Sequence, residues 1–184
     1  MPTTPETPSV DAPALDRQSL ERKALDYVSR YEAPAARVAA VLRRTVDRAA
    51  RRQSVDREAV QRMIEEIVAE LVSREIVVDR RYAEIRVRAL RARGTATSMI
   101  RQDLRARGVP ATVVDDLLQN GPDQAAANFA AAVALARRRK LGPFRPEAAR
   151  SEHRMRDLAA LARRGFDSET ARRVIDAMEI SNLD

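Results

Sequence analysis

Two stretches of this chain, 57 residues apart, are nearly the same phrase. Leu104-Arg105-Ala106-Arg107-Gly108-Val109 returns as Leu161-Ala162-Arg163-Arg164-Gly165-Phe166. The likeness continues beyond the glycines. Val114, Leu117 and Leu118 follow Gly108 at the distances at which Ala171, Val174 and Ile175 follow Gly165. A phrase that recurs with its spacing intact marks a repeated structural unit. Each copy predicts a helix, a glycine stop and a second helix. The glycine suits the left-handed residue that closes a helix, which only glycine adopts without steric cost. The arginines before it face the negative end of the helix dipole. Phe166 stands where an apolar contact seals a glycine-capped end.

Helical periodicity fills most of the remaining chain. A first helix runs from near Asp16 to Arg30. Pro34 suits the opening of a second, striped by Val38, Val41, Leu42 and Val46. Ser54 is placed to cap a third, with Val60, Ile64, Ile67, Val68 and Leu71 on one face. Ile76-Val77-Val78 is too short to support a sheet and packs a turn before Asp79, the expected cap of a fourth. Tyr82, Ile85, Ala89 and Leu90 form its expected stripe, and Gly94 its end. Thr95 or Thr97 is expected to cap a fifth helix carrying Met99, Ile100 and Leu104. Pro110 opens a sixth and Gly121-Pro122 stops it. Phe129 and Val133 lie among the alanines of a seventh. Leu141 to Phe144 is a break, and Pro146 begins an eighth with Met155, Leu158 and Leu161. Asp167 or Ser168 caps a ninth with Ala171, Val174, Ile175 and Met178.

Composition agrees with an all-α protein. Apolar residues make up 45% of the 184, aromatics only 3%, and there are five glycines. The core must be aliphatic. The expected architecture is three tandem three-helix, helix-turn-helix-like repeats stacked in an elongated, curved array. The expected division is a disordered tail at 1–15, then repeats at 16–78, 79–121 and 122–180. Four of the nine prolines fall in the tail, which lacks the apolar run of a signal peptide. With no cysteine, disulfide and thiol chemistry are excluded. No apolar run is long enough to span a membrane, and a cytoplasmic monomer is expected.

Charge is more informative by position than by sum. The net +7 hides two blocks of +7 each. Residues 80–110 hold nine arginines against Glu84 and Asp103, and residues 137–173 hold twelve cations against five acids. An acidic stretch, 111–136, separates them. Two basic blocks point to a polyanion or an acidic protein surface as partner. The residues singled out are Arg91, Arg93, Arg101, Arg105 and Arg107 in one block. Arg137, Arg138, Arg139, Lys140, Arg163 and Arg164 represent the other. A guanidinium fork grips phosphate or carboxylate at two points.

Catalytic signatures are missing. The single histidine, His153, lacks orienting partners in the sequence and reads as a surface residue. No spacing of His and Cys suits a metal, and no glycine-rich phosphate loop occurs. Glu65-Glu66 and Asp115-Asp116 are adjacent pairs, which splay apart on a helix. The chain reads as a binding protein without cofactor. Tyr82, Phe129 and Phe166 read as core residues, and Phe144 as the more exposed aromatic.

Four segments resemble the RecX family, bacterial regulators of the recombinase RecA. They are Ala24 to Arg30, Val78 to Glu84, Arg93 to Val109, and Leu161 to Phe166. In the second, Val78 stands where many members carry an aspartate, leaving Asp79 alone. The resemblance implies three tandem three-helix repeats. It also implies binding in the groove of a RecA filament on single-stranded DNA, limiting filament extension, ATPase, strand-exchange and coprotease activity. A different reading is a helix-turn-helix protein that binds DNA with sequence or structure preference, at Ile100–Leu118 and Leu158–Met178. Against it, the second helix of each pair carries acids where a base-reading helix needs basic and amide side chains.

Overall fold

A computed structural model describes residues 16–51, 54–119 and 124–183. The expected tail at 1–15 and the Gly121-Pro122 stop lie outside these residues. The described residues form nine α-helices and two short 3₁₀ turns, with no strand among them. The helices are α1 (Arg17–Val28), α2 (Ala35–Ala49), α3 (Arg57–Ser73), α4 (Asp79–Ala92), α5 (Thr97–Ala106), α6 (Ala111–Gln119), α7 (Gln124–Arg139), α8 (Glu147–Ala162) and α9 (Ser168–Ile175). The chain divides into two compact units, one ending at Val77 and one starting at Val78.

The first unit packs α1, α2 and α3 around one aliphatic core. Leu20, Val38, Leu42, Ile64 and Ile67 are fully buried in it, and Val77 closes it. Burying a leucine or isoleucine side chain stabilises by roughly 1.5–3 kcal/mol. Asp16 caps α1 by accepting from the Ser19 N–H (2.7 Å). Asp56, not Ser54, caps α3, accepting from the Glu58 and Ala59 N–H groups. Its carboxylate is the stronger acceptor for a helix N-terminus.

The second unit holds two cores. Val87, Leu90, Ile100, Leu104, Val114 and Leu118 pack α4, α5 and α6 together. Leu135, Leu161, Phe166, Val174 and a set of alanines from α7 do the same for α7, α8 and α9. The duplicated phrase closes its helices identically. Gly108 and Gly165 have φ of 79° and 84°. In each copy the residue after the glycine donates its N–H to the leucine that begins the phrase, Val109 to Leu104 (3.1 Å) and Phe166 to Leu161 (3.4 Å). The donor's side chain is buried with that same leucine. These are the hydrogen bonds and the apolar contact of a Schellman end. A third copy of the phrase, Leu90-Arg91-Ala92-Arg93-Gly94, ends α4 in the same way, with the Thr95 N–H on the Leu90 carbonyl.

Several expectations fail for identifiable reasons. Ile85 and Ala89 are exposed, and α4 instead buries Ala83, Val87 and Leu90. A stripe of Ala83, Val87 and Leu90 also fits 3-and-4 spacing, and small residues let neighbouring helices approach. Met155 and Met178 are exposed, 70% and 83%. The inward positions of α8 there belong to Asp157, Ala160 and Leu161. Asp79 is the first helical residue of α4, not its cap.

Candidate nucleic-acid and protein interface

The two basic blocks, distant in sequence, meet at a seam between α4–α5 and α7–α8. Arg138 donates from Nη2 to the Arg93 carbonyl (2.6 Å). The Ala96 N–H donates to the Arg164 carbonyl (3.4 Å), and Ser98 Oγ to the Gly165 carbonyl (2.8 Å). Neither Thr95 nor Thr97 caps α5. Its Thr97 N–H donates to Asn128 Oδ1 on α7 (3.0 Å), so the cap comes from across the seam. Gln124 Nε2 donates to Thr97 Oγ1 (3.1 Å).

Glycine makes this closeness possible. A Cβ on Gly94 would come within 2.6 Å of Leu135 Cβ, and one on Gly165 within 2.6 Å of Met99 Cγ. Both have positive φ, 64° and 84°, so any side chain there is also strained.

The eleven candidate cations separate into distinct roles. Arg91 is structural in this arrangement. It is half-buried, donates to Gln124 Oε1 (2.8 Å), and burial pushes its pKa down. Its Nε is buried without a hydrogen-bond partner. Arg101 pairs with Asp115, and Arg105 reaches the same carboxylate at 3.4 Å. Arg107 pairs with Asp103 (2.9 Å), which Arg86 grips at two points (2.8 and 2.9 Å). The Arg86 hydrogen bonds, followed by those of Arg107, hold the Asp103 pKa down to about 2 against the opposing pull of burial. The α5 arginines are thus partly neutralised from within. Arg105 and Arg107 also lie at the far end of α5, about 10–14 Å along the helix from the seam.

The remaining candidates are more available. Arg93, Arg139, Lys140 and Arg163 are exposed, with no side-chain partner among the described residues, and Arg164 is half-buried at the seam. Arg137 lies over the Phe144 ring, 5.5 Å from its centroid. Arg138 keeps its contact with Arg93. Arg93 and Arg164 therefore stand at the seam with Arg163 beside them, Arg139 and Lys140 follow Arg138 at the end of α7, and Arg101, Arg105 and Arg107 face their own acids.

Aromatic candidates are core residues or close to it. Phe166 is buried, and Tyr82 packs on the α4–α6 core. Phe129 is half-buried beneath Arg173, 4.4 Å from the ring centroid. Phe144, expected to be the exposed one, is half-buried against the α7–α9 core.

Sequence patterning did not single out Asp157, yet among the described residues it is the one charged residue that is buried. Burial pulls its pKa up. The Arg145 guanidinium (2.8 and 2.9 Å) and the Gly142 N–H (2.9 Å) outweigh that, and the net shift is down. Arg150 ties the same break together by donating to the carbonyls of Pro143, Arg145 and Met178. A lone aspartate on the apolar side of α8, twelve residues after an arginine in a break, was the available signal. His153 is half-buried near Asp157. Among the described residues no group of His, Cys, Asp or Glu could hold a metal, and no helix is long and apolar enough to cross a membrane.

Comparison with known proteins places this geometry. Residues 79–118, which are α4 to α6, match the family model described as RecX, second three-helix domain. The regulatory protein RecX of Myxococcus xanthus (strain DK1622) is 40% identical over 155 residues, 84% of this chain and 82% of the relative. The regulatory protein RecX of Trichlorobacter lovleyi is 36% identical over 99 residues, 53% of this chain and 63% of the relative. The crystal structure of RecX from Lactobacillus salivarius superposes with a TM-score of 0.64 at 21% identity, covering 88% of this chain and 96% of that one. A second crystal structure, of a regulatory protein RecX, gives 0.62 at 22% identity, covering 88% and 72%. At 40% identity over 84% of its length to one regulatory protein RecX, and with its α4 to α6 matching the family's second three-helix domain, the chain belongs to the RecX family of regulatory proteins.

Proposed function

We propose that this protein is a non-enzymatic, cytoplasmic negative modulator of a RecA recombinase. It binds the recombinase filament on single-stranded DNA and limits its extension, ATPase, strand exchange and coprotease function. The observation that supports the reading is the seam, where hydrogen bonds bring Arg93 of one basic block to Arg138 of the other, and Ser98 of α5 to Gly165 beside Arg163 and Arg164. A filament of recombinase on DNA offers phosphates and acidic side chains, both of which suit guanidinium forks. The exposed or half-buried cations Arg93, Arg163 and Arg164 at the seam, with Arg139 and Lys140 at the end of α7, are assigned the contact. Arg91, Arg101, Arg105 and Arg107 support the frame. In this reading the three-helix groups act as successive repeats, bounded near residues 78 and 121.

The test is single-stranded-DNA-dependent ATP hydrolysis by the cognate recombinase, with this protein added well below one copy per recombinase. Inhibition is expected, and the Arg139→Glu/Arg163→Glu double variant should lose it while keeping its helical content. Inhibition unchanged in that folded variant removes the seam assignment. No inhibition by the unaltered protein, even in excess, removes the proposed function. Arg101→Glu is a poor probe, because it would set a second carboxylate against Asp115.

A further inference from the structure

The first unit carries a feature that the seam does not use. Tyr27 and Tyr31 stand at the end of α1 with ring centroids 5.3 Å apart and planes tilted by 39°. Tyr27 is half-buried against the core of α1–α3, so its ring is fixed. Arg37 on α2 donates to its hydroxyl (3.4 Å). Tyr31 lies beyond the helix, 58% exposed, its N–H bonded to the Tyr27 carbonyl (3.1 Å). Beside the pair is a hollow of about 200 Å³ lined by Lys23, Asp26, Tyr27, Arg30 and Tyr31. Lys23, Arg30 and Arg37 surround the rings with three cations, all exposed. Asp26 is the acid in the lining, and Glu32, next to Tyr31, already has an interaction of its own.

Only six aromatic residues occur in the chain, and the other four are core residues or packed against the core. An exposed tyrosine backed by a second, anchored ring and ringed with cations is unlike the rest of this surface. A structural contribution accounts for Tyr27, which packs, but not for the exposed ring of Tyr31. We propose that Tyr27 and Tyr31 form a base-stacking site for single-stranded nucleic acid. One unpaired base would lie on the Tyr31 ring, with Lys23, Arg30 and Arg37 meeting the flanking phosphates. Planar aromatic faces serve any base, and the cations track the backbone, so the site is tolerant of sequence. Arg30, just past the negative end of α1, offsets that end for an approaching phosphate. The hollow has room for one heterocycle rather than for a folded peptide.

The test compares the full chain's affinity for a thymidine oligonucleotide with its affinity for an abasic oligonucleotide of equal length and charge, by fluorescence anisotropy. The unaltered protein should prefer the base-bearing strand by roughly five- to 150-fold. Tyr31→Ala should abolish the preference, while Tyr31→Phe and Tyr31→Trp retain it. Equal affinity of the unaltered protein for both strands overturns the proposal, as does a preference that survives Tyr31→Ala. Failure to bind the thymidine strand at all overturns it too. No recombinase is present, so the outcome is separate from that of the ATP-hydrolysis test.

Discussion

Gly108 and Gly165 end almost identical phrases with the same backbone and the same hydrogen bonds, yet their surroundings differ. Gly165 is pressed against Ser98 and Met99 at the start of α5. Gly108 is exposed, and its turn is held instead by charge, through Arg107, Asp103 and Arg86. A local phrase therefore determines where a helix stops, and the neighbouring elements determine what the stop is used for. One copy is a close-packed joint tied by uncharged hydrogen bonds. The other is an ionic one.

The difference between the copies should be measurable. Gly165→Ala adds left-handed strain and a clash at the seam, and should cost about 2–4 kcal/mol in urea unfolding. Gly108→Ala adds the strain alone, about 1 kcal/mol. Equal losses would remove the distinction between the two turns. Asn128→Ala uncaps the helix on which Gly165 rests and should cost about 1 kcal/mol. Its effect should be non-additive with Gly165→Ala in a double-mutant cycle, and additive with Gly108→Ala.

Acid should discriminate in the opposite sense. The Asp103 pKa is lowered to about 2 in the folded protein. A depressed folded value stabilises above the unfolded value and is lost as pH falls from about 4 through about 2. Asp103→Asn should remove about 1 kcal/mol of that acid sensitivity, allowing for solvent screening, when unfolding is compared at pH 6 and pH 3. The smallest effect concerns the residue after α7, Lys140, whose φ is 53° where the duplicated phrase would place glycine. Lys140→Gly should relieve the strain and raise stability by about 0.5–1 kcal/mol, after the added freedom of the unfolded chain.

Much of this was legible in the sequence because it is local. Glycine stops, the stripes of α2, α3 and α6, and the Asp167 cap of α9 each depend on residues within a turn or two. What could not be read was decided across the chain. Asn128 takes the capping role expected of Thr95 or Thr97 from 31 residues away. The stripe of α4 shares Leu90 with the expected one but buries Ala83 and Val87, which hydrophobicity alone ranks below the exposed Ile85. Candidate cations showed the same limit. Sequence places arginines in blocks, but only the fold reveals that Asp115 and Asp103 have already engaged those of α5.

The side of α7 that meets the rest of the second unit is built largely of Ala131, Ala132 and Ala136 around Leu135. Alanine has no rotamers to rearrange and no bulk to trim. A helix seated on such a face packs close with few side-chain rotamers to order, and that close approach is what lets Arg138 reach the Arg93 carbonyl. A larger side chain at Ala131, Ala132 or Ala136 would then be expected to push α7 outward and part the contact between Arg138 and Arg93.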